Sequence, residues 1–152
     1  MALIADSGGL YALYDRRDKN HAAVRVAVEK ESGPIVLPAA ILAELDYLLR
    51  TKLGAPAGAR LLEGIVNGSL SVEPFTVADA ARCRELLAKY EDLDLGLADA
   101  SVVATAERLG VLRILTVDER DFRPIRTTGG KAFTLVPADE RGTGGRKPSY
   151  PA

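Results

Sequence analysis

The sequence predicts an α/β layer fold built on a mainly parallel sheet of about five strands. Three observations carry that reading. Runs of three to five residues at 2–5, 35–37, 70–74, 113–117 and 132–136 have the length and composition of strands, and stretches of helical spacing separate them. Strands that alternate with helices return to one parallel sheet. The segment 97–109 is mostly Ala, Val and Leu with few charges, as in a helix packed on both sides. Finally, 152 residues of which 47% are hydrophobic suit one domain with one core.

The elements follow in order. Ala2-Leu3-Ile4-Ala5 is an apolar first strand, and Asp6-Ser7-Gly8-Gly9 reads as its end, a turn and a helix start, with Ser7 as the cap. Leu10 to Tyr14 continue as helix into the charged stretch Asp15-Arg16-Arg17-Asp18-Lys19-Asn20. A second amphipathic helix spans 21–31, with Ala22, Val24, Ala27 and Val28 facing inward, and Ser32-Gly33-Pro34 breaks it. After the strand 35–37, Pro38 fits the first turn of a helix carrying Ile41, Leu42, Leu45, Leu48 and Leu49. Gly54-Ala55-Pro56 ends that helix, and another covers 57–66. Asn67-Gly68-Ser69 turns the chain into the third strand. A helix over 78–90 precedes Asp94-Leu95-Gly96, a loop and N-cap region for the central helix, which Gly110 stops. The fourth strand ends near Asp118, and 118–122 form one helical turn before the fifth strand. From Pro137 the periodicity is lost, so residues 1–136 form the expected domain and 137–152 a loose tail.

Composition narrows the function. A net charge of −1 argues against a chain built to coat nucleic acid, while leaving room for a local basic groove. The single Cys83 rules out an internal disulfide and, inside a helical pattern, reads as a packing residue. The single His21 cannot build a histidine-rich metal site or, with that cysteine, a catalytic pair. No apolar run reaches the length of a membrane span, and no basic leader with a cleavage site follows Met1. A cytoplasmic protein is the expectation.

The acids are more informative. In a parallel α/β sheet the functional edge lies where strand ends meet helix starts. Asp6 ends the first strand, Asp118 ends the fourth, and Asp99 opens the helix that feeds the fourth. Glu44 lies beside the apolar stripe of its helix. Taken singly, Asp6 and Asp99 read equally well as caps, Asp118 as a turn residue and Glu44 as a solvated flank. Gathered on one edge they repel one another unless a cation is present. An all-oxygen site suits Mg²⁺ or Mn²⁺, and such a site favours phosphodiester hydrolysis.

Asp6-Ser7, Glu44, Leu97-Ala98-Asp99-Ala100 and Leu115-Thr116-Val117-Asp118-Glu119-Arg120-Asp121-Phe122, in this order and on these elements, resemble the PIN domain. The resemblance is greatest to the VapC toxins of type II toxin–antitoxin modules and covers about residues 2–136. It implies a three-layer α/β/α sandwich and a metal-dependent endoribonuclease that dimerises and is inhibited by a cognate VapB-like antitoxin. It also implies that Asp6, Glu44, Asp99 and Asp118 are the catalytic, Mg²⁺- or Mn²⁺-binding quartet. Ser7 matches the small hydroxyl residue that often follows the first acid. Gly8-Gly9 stand where many members carry Ser or Ala.

Asp94 and Asp121 stay outside the quartet: the first reads as a cap or a water holder, the second as a neighbour of Asp118 on one helical face. Two basic runs, Arg120/Arg123/Arg126 and Arg16/Arg17/Lys19, are either RNA contacts or a solvated surface. Competing readings are a housekeeping RNA-processing nuclease, a catalytically silent PIN-fold binding module, and a phosphoryl-accepting receiver domain. The receiver reading needs an Asp at the end of the third strand, where Glu73-Pro74-Phe75 stand instead.

Overall fold

The structure is a computed structural model that describes residues 2–140. Five strands, β1 (Leu3–Ala5), β2 (Ile35–Pro38), β3 (Leu70–Glu73), β4 (Arg113–Leu115) and β5 (Thr134–Val136), form one sheet in the order β3-β2-β1-β4-β5. Every ladder is parallel, with Ile4 paired to Val36 on one side and to Ile114 on the other. The expected α/β architecture is therefore present, with a sheet that is parallel throughout. The inner strands are unbroken apolar runs because both faces of the sheet are covered: all of β1 and β2 is buried. On the edge strand β3 only Leu70 is buried. A receiver domain has the order 2-1-3-4-5, so the sheet overturns that reading.

Right-handed crossovers place the helices on two layers, because the chain leaves β1 in one direction toward β3 and then crosses to β4 on the far side. Helix α1 (Ser7–Tyr14) packs on α2 (His21–Lys30) and on α3 (Leu42–Leu53), and α3 packs on α4 (Ala55–Val66). Helix α5 (Val77–Lys89) packs on α6 (Leu97–Leu109), which lies against β1, β2 and β4. Every residue from Ala100 to Ala106 is buried, as its composition requires. The short α7 (Glu119–Phe122) anchors Phe122 in the core. Among the described residues no helix is long and apolar enough to cross a membrane.

Several local expectations are corrected. Asp6, not Ser7, caps α1, because its carboxylate stands one residue outside the helix and accepts the Gly9 N–H at 2.6 Å. Pro38 closes β2 instead of opening a helix. Gly54 alone, at φ +91°, separates α3 from α4, and Pro56 sits in the first turn of α4. On α2, Val24 is buried, Ala27 and Val28 are half-buried and Ala22 is exposed. Asp94 takes a left-handed conformation at φ 52° and leaves the cap position of α6 to Gly96. Residues 137–140 belong to the packed domain: Ala138–Glu140 form a 3₁₀ turn, Asp139 accepts the Leu135 N–H at 2.7 Å, and Arg113 pairs with Glu140 at 2.7 Å. The rest of the expected tail, 141–152, lies outside the described residues.

Gly9 is where sequence dictates packing most tightly. A Cβ built there stands 2.9 Å from the carbonyl carbon of Leu115 and closer still to its oxygen, which is already bonded to the Asp6 N–H at 3.1 Å. Neither strand can move without breaking the sheet. Gly9→Ala is expected to cost about 1–3 kcal/mol through overpacking. Gly96→Ala, where a Cβ meets nothing, should stay within about 0.5 kcal/mol of wild type. Urea unfolding of the two variants checks both values.

Candidate active site

The sheet reverses its winding between β1 and β4, and a crevice opens beyond the carboxyl ends of strands at such a point. Asp6 follows β1 directly, and Thr116 and Asp118 follow β4. Glu44 and Asp99 each occupy the first turn of a helix, α3 and α6, where the helix dipole favours an anion. These segments enclose a cavity of about 280 Å³ lined by Asp6, Ser7, Glu44, Asp99, Asp118 and Asp121, with Ile41, Leu48, Ala98 and Val102 as its apolar wall. All four sequence-expected acids therefore meet. Asp121, left out at the sequence level, joins them, and Asp94 does not line the cavity. Among the described residues no Lys, Arg or His lines it.

Three of the acids, Asp6, Glu44 and Asp118, are held by specific donors. Asp6 is buried, and its two oxygens accept the Gly9 N–H at 2.6 Å and the Thr116 hydroxyl at 2.5 Å. The Thr116 oxygen in turn accepts the Asp118 N–H at 3.0 Å, so one hydroxyl ties the end of β1 to the loop that presents Asp118. Glu44 accepts the Ser7 hydroxyl at 2.5 Å. Asp118 caps α7 by accepting the Asp121 N–H at 3.4 Å, which sets the two carboxyl groups side by side at the cavity wall. Sequence reasoning gave Thr116 no role. Its signal was a hydroxyl residue at the end of an apolar strand, two positions before an acid.

The electrostatics follow from burial and crowding. Burial pushes the Asp6 carboxyl up to about 7, against its two hydrogen bonds and with the charges of Asp99 and Asp118 adding to the rise. Burial, then the charges of Asp121, Glu44 and Asp118, push Asp99 up to about 6. Asp121 is also raised, by burial and by its bond to Asp118. Asp6, Asp99 and Asp121 are held above their ordinary ionisation range, and a hard divalent ion is the partner that an all-oxygen donor set fits. Among the described residues no three of these groups already converge closely enough to form a finished ion cage. The hydrogen bonds from Gly9, Thr116 and Ser7 hold Asp6 and Glu44, and mutual repulsion opposes closer approach.

Comparison with known proteins gives the family and the fold. The PIN domain family model matches residues 3–126. Ribonuclease VapC26 of Mycobacterium tuberculosis is 33% identical over 135 residues, covering 89% of this chain and 100% of the relative. Among solved structures, VapC20 of M. tuberculosis, described as a sarcin-ricin loop cleaving toxin, superposes with a TM-score of 0.71 at 18% identity over 76% of this chain and 89% of that one. A toxin–antitoxin complex from Klebsiella pneumoniae superposes with a TM-score of 0.64 at 20% identity over 82% and 92%. These two structures share the fold.

The raised acids set a pH dependence. Between the ordinary carboxylate pKa of about 3.9 and the folded value of about 7 for Asp6, the folded chain binds more protons than the unfolded chain. Stability of the ion-free protein is therefore expected to fall as pH rises through that window and to level off above it. Asp79, Glu31 and Asp139, whose pKa values are lowered, act below the window. Urea unfolding in EDTA from pH 5 to 8 should show the decline, on the order of 1 kcal/mol or more, and Asp6→Asn should flatten it. A profile that rises across this range would contradict the assignment.

Proposed function

Since the chain belongs to the PIN domain family, we propose that its acidic cavity is the site of a metal-dependent endoribonuclease, and that the protein is the toxin of a toxin–antitoxin pair. The observation that carries this reading is the meeting of Asp6, Glu44, Asp99, Asp118 and Asp121, from separate segments, in one cavity without a cationic side chain. The likeness to Ribonuclease VapC26 over nearly the whole chain supports RNA as the substrate.

Asp6 and Asp99 would hold the ion first, with Glu44 and Asp118 beside them. Mg²⁺ or Mn²⁺ bound there supplies Lewis acidity toward a phosphodiester oxygen and toward the attacking water. The chain's own residues do the rest. Gly9 and Thr116 fix both oxygens of Asp6, and Ser7 orients Glu44, so the carboxylates meet the substrate without a large reorganisation. An ionised Asp118 or Asp121, both lining the cavity, would take up the proton that the attacking water releases. The 3′ oxygen of the scissile phosphate leaves.

A cognate antitoxin would inhibit by placing an arginine among the carboxylates, since a guanidinium pairs with carboxylates in a bidentate way and excludes the ion. A homodimer fits the exposed apolar residues Leu62 and Val66 on α4 and Val26 on α2, at 58%, 81% and 47% exposure. Leu62→Asp with Val66→Asp should convert a dimer to a folded monomer by light scattering at micromolar concentration. A wild-type monomer under those conditions would count against dimerisation.

The chemical test uses Asp6→Asn, Glu44→Gln, Asp99→Asn and Asp118→Asn. Each should keep the fold and lower cleavage of single-stranded RNA on the order of 100-fold or more. Products should carry a 5′-phosphate and a 3′-hydroxyl, and EDTA should abolish their formation. A 2′,3′-cyclic phosphate, or full activity of Asp99→Asn, would sink the reading.

A further inference from the structure

The acidic cavity leaves a problem of charge. RNA is a polyanion whose affinity for proteins comes mainly from cations set against its phosphates. The cavity offers none, and the chain carries a net charge of −1. Binding has to draw on another surface. Of the two basic runs in the sequence, the one after Asp118 has Arg123 and Arg126 committed within the chain and leaves Arg120 exposed beside Asp121. Arg123 pairs with Asp139 at 2.8 Å and with Glu119, and the Arg126 guanidinium donates to the carbonyl oxygens of Arg123 and Ile125.

The other run opens on a second cavity, of about 920 Å³, lined by Leu13, Tyr14, Arg16, His21, Arg25 and Arg60. The end of α1 with the loop after it, the start of α2 and, distant in sequence, the exposed side of α4 supply it. Arg16 and Arg60 are exposed, and neither has an ion-pair partner among the described residues. Arg25 pairs at 2.8 Å with Glu29, and both side chains are more than half exposed (63% and 60%), so solvent screens the pair and a phosphate can compete for it. His21 lies with Nδ1 at 2.8 Å from the Ala12 carbonyl oxygen; as that oxygen only accepts, Nδ1 carries the proton. The nearby acids are engaged: Asp15 accepts from the Tyr11 hydroxyl at 2.6 Å and the Arg17 N–H at 3.0 Å, and Asp18 from the Asn20 N–H at 2.8 Å.

We propose that this arginine cleft binds the phosphate backbone of the RNA strand whose scissile bond lies in the acidic cavity. The proposal rests on reading that cavity as a ribonuclease site. Helix α1 joins the two: Ser7 at its start lines the acidic cavity and Tyr14 at its end lines the cleft. At 1.5 Å per residue the separation along the helix is about 11 Å, or roughly three stacked nucleotides. Arg60 points away from the proposed dimer face, because Leu62 follows it by about 200° around α4.

The test is fluorescence anisotropy with the full chain in EDTA, a labelled single-stranded RNA of about 20 nucleotides, and a salt series. Arg16→Ala with Arg60→Ala should weaken binding about tenfold and reduce the salt slope by about 1.4, the share of two lost phosphate contacts at about 0.7 each. Arg16→Lys with Arg60→Lys should recover most of the binding. Arg84→Ala, an exposed arginine on α5 away from the cleft, should bind as wild type. Unchanged binding in the double alanine variant, an equal loss in Arg84→Ala, or no RNA binding by the wild type would overturn the proposal. So would a double variant that keeps RNA binding and loses the antitoxin, which would make the cleft a protein-docking site. Wild-type protein that binds RNA through the cleft but shows no metal-dependent cleavage would remove the nuclease reading alone.

Discussion

The buried carboxylate of Asp6 is the point on which the molecule turns. It caps α1, its backbone N–H completes the bond to Leu115 across the β1–β4 seam, and its second oxygen takes the Thr116 hydroxyl. A buried ionised carboxylate costs several kcal/mol, roughly, unless donors surround it. Here two donors and a helix N-terminus offset part of that cost, while Asp99 and Asp118 add to it. The fold thus holds a charge cluster that protonation or an external cation relieves. The glycine at position 9 is a consequence: α1 must start close enough to β4 for its cap to reach Thr116, and no side chain fits in that gap.

The acids of the protein separate into two populations, and their ionisation tells them apart. Asp79, Glu31 and Asp139 are held below the ordinary range by arginines. Arg108 grips Asp79 and Glu73, Arg113 joins Glu31 to Glu140, and Arg123 joins Asp139 to Glu119. These pairs tie loops to the sheet and to helix ends. Asp6, Asp99 and Asp121 are shifted the other way and have no cation among their hydrogen-bond and ion-pair partners. Segregation of this kind is not what stability alone would select, since clustered like charges repel. It is what a site for a hard cation requires.

How much of this was legible in the sequence depended on whether the signal was local. The strands announced themselves because a doubly covered parallel sheet needs unbroken apolar runs, and α6 because it is apolar on all sides. Asp6, Asp99 and Asp118 could be placed on one edge from element order alone, whereas Glu44, beside an apolar stripe, read equally as a solvated flank and joined them through the family resemblance. Asp121 was lost because its spacing from Asp118 fits an ordinary exposed turn equally well. Thr116 was lost because a hydroxyl at a strand end has many uses, and only the parallel pairing of β1 with β4 brings it to Asp6. Ser7 was taken for the cap because both it and Asp6 are capable of capping, and the choice is made by the φ and ψ of one residue. The strand-like look of Val117 and Ala132 misled because pairing, not composition, ends β4 at Leu115 and starts β5 at Thr134.

The grouping of Arg16, Arg25 and Arg60 is the least local feature of all, since α4 meets α1 only once the elements between them in the sequence have folded. Gly64 is buried there, with the Tyr14 hydroxyl 3.3 Å from where its Cβ would stand. A larger residue would hold α4 off α1 and widen the space between Arg60 and Arg16. The same kind of constraint that seats Asp6 against β4 at Gly9 therefore acts at the far end of α1. One short helix carries close glycine-mediated approaches at both ends, an acidic cavity at its start and an arginine cleft at its finish. The spacing between the acidic cavity and the arginine cleft is then fixed by backbone geometry and not by flexible side chains, which is what threading one strand through both sites demands.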